Sequence, residues 1–263
     1  MVLERLVSIR DALRNPWWMF LTGGIVSVVC LFISYLVFQT SIGLISSLFV
    51  TIAMTPFMIR LTIYDETKEE EEMDFGEMNF LQRHKDIIKI YSIFFAGMIL
   101  SLSLLYLFLP ETLSQKIFQD QTNEIYSIRG NFISFETFEK IVTNNIGVLF
   151  LSFLFSFIFG AGAIFILSWN ATVLATAIGM AAKGYGGIKG LPVATLMFFP
   201  HGSLEILAYF IGGIAGGLVS AVISKRHSKN FWFIIKDGSL LLMISVVLLI
   251  AAGIIETVTI QLR

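Results

Sequence analysis

Long apolar runs separated by short polar punctuation set the plan of this chain. Trp17 to Phe38 carries no charged residue over 22 positions, enough to cross the roughly 30 Å hydrocarbon core of a bilayer. A tight Gln39-Thr40-Ser41 turn leads into a second run, Ile42 to Met58, which Pro56 should kink or stop. A third run, Ile87 to Phe108, ends before Pro110. Ile146 to Met180 is apolar throughout; as one helix it would be about 52 Å long, too long for one crossing. It must break at Gly160-Ala161-Gly162 or at Trp169-Asn170. The second break is favoured, giving one helix from Asn145 to Ser168 and a shorter one from Asn170 to Ala182. Lys183 to Gly190 is a glycine-rich loop. Leu191 to Phe199 is too short to span and is cut by Pro200, which predicts a broken, re-entrant half-helix. Ser203 to Ile223 and Ser239 to Ile255 complete the set. The fold class is all-α: a polytopic transmembrane helical bundle of six or seven crossings.

The polar segments set the topology. Arg5, Arg10 and Arg14 precede Trp17 and Trp18, placed as an interfacial aromatic belt. From Asp65 to Glu77 every charged residue except Lys68 is acidic, the pattern of a solvated loop or frayed helix, without the spacing of a calcium-binding loop. Arg83, His84, Lys85 and Lys89 form a basic collar before the third run. Glu111 to Asn131 reads as a polar external loop. Phe135, Phe138, Ile141 and Val142 recur at helical spacing, which predicts an amphipathic helix lying on the membrane. The organisation is an N-terminal membrane region, residues 1–110, with an acidic cytoplasmic loop at 60–86, and a second membrane region, residues 111–263. Lys and Arg gather in the segments that face the cytoplasm if the N-terminus is inside. Seven crossings then put the C-terminus outside.

Composition supports this plan. Hydrophobic residues make up 56% of the chain and charged ones 14%, far from the globular mix. The net charge of −1 leaves no basic stripe for phosphates, so a nucleic-acid partner is not expected. The one cysteine, Cys30, lies in an apolar run and has no partner for an internal disulfide. The first run is too long for a signal-peptide core and lacks a small-residue cleavage site, so it is read as a retained anchor.

The candidate chemistry is concentrated at Pro200-His201-Gly202-Ser203-Leu204-Glu205. His201 and Glu205 stand four apart and share a helical face. Ionisable groups at membrane depth usually face a cavity or a partner. As a metal site they supply two ligands where zinc takes three or four, and His84 and His227 lie in loops. No serine–lysine pair, aspartate pair or H-E-x-x-H helix accompanies them, so neither enzyme chemistry, metal nor cofactor is expected. The bland reading is that the pair satisfies itself and caps the break; the functional one is a solute or partner-sensing site. Asn144, Asn145 and Asn170 are expected to pin their helices against the Pro200 break and to line the same cavity. Gly160, Gly162, Gly212, Gly213, Gly216 and Gly217 are read as helix-packing positions, within the bundle or across a homodimer.

From Phe138 to Ile223 the chain resembles the stage II sporulation protein M family. The resemblance rests on F-E-K-I-V-T-N-N from Phe138 to Asn145, F-G-A-G from Phe159, W-N at Trp169, and P-H-G-x-x-E from Pro200 to Glu205, followed by Gly212, Gly213 and Gly216. It implies an integral membrane protein without catalysis of its own; in spore-forming bacteria the family member anchors peptidoglycan-degrading partners during engulfment. The leading expectation is therefore a non-enzymatic protein of the cell membrane that organises membrane or envelope partners, with lipids around it. The alternative is a permease or transporter subunit with a polar site at His201 and Glu205. An intramembrane hydrolase comes last. An inner cavity joining His201, Glu205 and Asn170 would favour transport. A dry, self-satisfied core with conspicuous surface patches would favour the organiser.

Overall fold

The computed structural model describes residues 8–72, 85–128, 135–159, 163–224 and 231–261. It is all-helical. Among the described residues ten α-helices follow one another: α1 (Ile9–Arg14), α2 (Trp17–Val37), α3 (Ile42–Glu72), α4 (Lys85–Phe108), α5 (Glu111–Ile117), α6 (Gln119–Ile128), α7 (Phe135–Phe159), α8 (Ala163–Gly184), α9 (Leu191–Ser224) and α10 (Phe231–Gln261). Seven of them, α2, α3, α4, α7, α8, α9 and α10, are long and apolar enough to cross a membrane.

The apolar runs became helices for the expected reason, since a spanning segment must satisfy its own backbone groups. Several boundaries moved. The long apolar stretch is divided between Phe159 and Ala163, not at Trp169-Asn170: α7 ends at Phe159, and α8 starts at Ala163 and runs unbroken through Asn170. The glycines between the two helices are poorer helix formers than a tryptophan and an asparagine. Ser156 Oγ accepts the Ala163 N–H at 3.2 Å and supplies the new helix with one of its missing partners. Gly160 and Gly162 themselves lie outside the described residues, as do Arg5, Asp74, Glu77, Arg83 and His84.

Neither internal proline breaks its helix. α3 continues past Pro56 to Glu72, and α9 passes through Pro200 as one helix, so the half-helix expected at Leu191–Phe199 is the first part of a continuous span. Phe135 to Val142 form the first turns of α7, in line with the rest of that span, in place of a separate surface helix. The segment from Glu111 is not a free loop either. It folds as α5 and α6; Phe118 and Gln121 are fully buried there, and α6 packs against α3 and α8. At the far end of α8 the chain turns on Gly186 and Gly187, at φ 92° and 75°, a left-handed pair that glycine adopts without steric cost.

The bundle is centred on α8, of which 67% is buried, against 28% for α7. It touches α3, α4, α6, α7 and α9. Two crossings are unusually close. Gly23 on α2 lies against the Phe94 carbonyl of α4, and Gly97 on α4 lies against the Phe20 carbonyl of α2. Gly216 on α9 lies against the Phe153 carbonyl of α7. Glycine at such a contact lets two backbones approach where any Cβ would hold them apart. Large apolar side chains such as Leu36, Trp232 and Val247 face outward, as lipid-facing positions of a spanning bundle do.

Candidate functional site

Pro200 lacks an N–H, so the Leu196 carbonyl four residues earlier has no donor within the α9 ladder. One residue on, His201 is 4% exposed, and its ring packs on Phe198 at 5.7 Å. One turn further stands Glu205. At 1.5 Å per residue both lie roughly 15 to 21 Å into α9. Pro200 faces outward, whereas His201, Gly202 and Glu205 face the bundle interior.

That interior holds a cavity of about 120 Å³. Its polar wall comes from Asn144 and Asn145 on α7, Asn170 on α8, His201 and Glu205 on α9, and Glu256 on α10. Gly202 and Tyr209 on α9 also line it, and Ile125 on α6 closes one side. The space matches a few water molecules at ~30 Å³ each.

The close approach of α9 to α7 is what lets these groups meet. Gly212 lies against Leu149, Gly213 against Ala163, and Gly216 against the Phe153 carbonyl, so this glycine pattern serves packing within the subunit. Gly217 is only half-buried. Glu205 then meets groups from two other helices. Asn145 Nδ2 donates to its Oε1 at 2.9 Å, and the Glu256 carboxyl lines the same cavity. Asn144 Nδ2 extends the relay with a long 3.5 Å contact to Asn145 Oδ1. Asn170 Nδ2 donates to the Ile166 carbonyl of its own helix at 2.8 Å. Glu205 thus has the Asn145 amide of α7 as a hydrogen-bond partner and the Glu256 carboxyl of α10 beside it in the cavity. Among the described residues no three His, Cys, Asp or Glu side chains converge as metal ligands.

The model of stage II sporulation protein M matches residues 87–259, a span that includes every cavity residue. The chain belongs to the stage II sporulation protein M family. The match is wider than the Phe138–Ile223 stretch that carries the motifs, taking in α4 at one end and α10 at the other. An uncharacterized protein of Methanocaldococcus jannaschii is 30% identical over 165 residues, which cover 60% of this chain and 88% of that relative. No solved structure matches.

Within this family domain two groups escaped the sequence reading. Glu256 sits immediately after the apolar run Ser239 to Ile255; its signal was a single acid following that uncharged run. Gln121, fully buried on α6, donates through Nε2 to Thr172 Oγ1 at 3.2 Å. Nothing in its polar local sequence marked that helix as buried.

Proposed function

We propose that this member of the stage II sporulation protein M family is a permease-type transport subunit, not an enzyme, whose solute site is the cavity around His201, Glu205 and Glu256. The cavity itself carries the reading. It joins His201, Glu205 and Asn170 at membrane depth, and ionisable groups placed there are costly unless they serve a pathway or a partner. The positive-residue bias supports a cytoplasmic N-terminus, with the α5–α6 segment on the outer side.

Cysteine accessibility tests it. In a Cys30→Ala background, Asn144→Cys and Asn170→Cys are exposed to a membrane-impermeant maleimide in right-side-out and inside-out vesicles. Labelling from both sides, at one position or between the two, is the expected result. Labelling from one side only, or from neither, overturns the transport reading.

The second reading is a partner-organising membrane protein, as the family resemblance implies. It is favoured by the low enclosure of α7 and α10, 28% and 33% buried, which leaves broad apolar faces for other membrane proteins or a second copy of this chain. Native mass spectrometry of the gently extracted protein, with partners retained at fixed stoichiometry, would support it.

A further inference from the structure

The cavity wall is rich in oxygen acceptors, with the His201 ring and the Tyr209 hydroxyl beside them. Asn145 and Asn170 each engage their amide nitrogen within the protein, at Glu205 and at the Ile166 carbonyl, and Asn144 turns its nitrogen to Asn145. Amide oxygens, two carboxyl groups, the His201 ring and the Tyr209 hydroxyl remain for a bound molecule. Among the described residues no lysine or arginine lines the space. The titratable groups facing Glu205 are His201 and Tyr209 from α9 and Glu256 from α10; α7 and α8 contribute amides and apolar side chains, and α6 contributes Ile125. A wall of acceptors with this charge recognises a cation, and ~120 Å³ admits a small one with part of its water shell.

The two carboxyls add a constraint. Two carboxylates lining one small cavity repel each other, and a proton shared between them removes that repulsion. With that proton held, the pair carries a single negative charge. We propose, on the basis of the transport reading above, that Glu205 and Glu256 form an exchange site that takes up a small monovalent cation and releases the shared proton. The step balances. The O–H bond breaks, the proton leaves to water, and the cation takes its place between two carboxylates. The charge of the site is the same before and after, so neither state strands an extra charge in a low-dielectric cavity. Asn145 keeps its hydrogen bond to Glu205 in both states and acts as a positioning residue.

The test uses the full chain, purified in detergent in weakly buffered solution containing a pH-indicating dye. Sodium chloride, potassium chloride and ammonium chloride are each added, with choline chloride as the ionic-strength control. At least one of the three is expected to release about one proton per chain at saturation, as the charge balance requires, and choline none. E205Q and E256Q should each abolish the release. Should either fail to fold, Asn170→Ala provides the second reading: the half-saturating cation concentration should rise roughly tenfold with the one-proton stoichiometry kept. No release with any of the three salts, or release undiminished in both glutamine variants, overturns the exchange site. So does an Asn170→Ala half-saturation equal to that of the parent protein. If the cavity cysteines are still labelled from both sides in that case, the transport reading stands and only the cation assignment falls.

Discussion

Asp120 Oδ2 accepts the Gly43 N–H at 2.9 Å, so a carboxylate on α6 closes the N-terminus of a helix 77 positions earlier in the chain. The Leu44 N–H reaches the same oxygen at 3.4 Å. The first N–H groups of a helix have no intrahelical partner, and an acid there also suits the positive end of the helix dipole. Next to Asp120, Gln121 sits directly over Gly43, where any Cβ would collide with it. The α5–α6 segment is thereby fastened to the second span.

Asp120→Ala should cost about 1 kcal/mol, the usual value of an N-cap side chain. Thermal unfolding in detergent should show a lower midpoint for Asp120→Ala and a near-parental one for Asp120→Asn, whose side-chain oxygen can still accept.

Gly216→Ala should lower folded yield sharply, because the new methyl meets the Phe153 carbonyl, which is backbone and cannot swing away. Gly147→Ala is the control. Nothing lies within 4 Å of its would-be Cβ, and alanine favours a helix over glycine by up to about 1 kcal/mol. Gel-filtration profiles of the two variants should therefore move in opposite directions, or the second not at all.

Asn145→Ala removes the donor to Glu205 Oε1. Leaving that group without its hydrogen bond should cost roughly 1–3 kcal/mol. Asn144→Ala, at an exposed position with only the long 3.5 Å contact, should lose much less. Comparing unfolding midpoints of the two single variants checks the order; equal losses would show that the relay, and not the Glu205 contact, sets the cost.

Gly186→Ala isolates a backbone effect. No atom lies within 4 Å of the added methyl, and φ is 92°, so the expected loss of about 1–2 kcal/mol comes from left-handed geometry alone. A midpoint unchanged from the parent protein would contradict it.

The crossing count was legible because hydrocarbon thickness imposes it on every spanning run. The site was partly legible for a related reason. His201, Glu205, Asn145 and Asn170 are polar groups inside apolar sequence, and such groups gather where they can meet one another. Where they meet was not legible. That the helices divide between Phe159 and Ala163, with α8 running through Asn170, depended on a competition between two weak helix stretches. Pro200 suggested a broken helix, yet a missing N–H and one freed carbonyl are tolerated when neighbouring helices hold the rest of the ladder. Glu256 was missed because its role comes from α10 lying against α9, a contact of tertiary origin. Asp120 and Gln121 were missed likewise, in a segment whose own composition is that of a surface loop.

The enclosure of α8 has a bearing on how the molecule is made. α8 and α9 carry much of the polar site and are also the least apolar of the seven spans, while α10, which follows them, is the most apolar. A segment's own hydrophobicity governs how readily it leaves the translocon for lipid. These two helices are therefore poor at entering the bilayer alone. The strongly apolar α10 that follows must help retain them until the bundle closes, so the polarity that equips this site also makes its helices depend on a neighbour during biosynthesis.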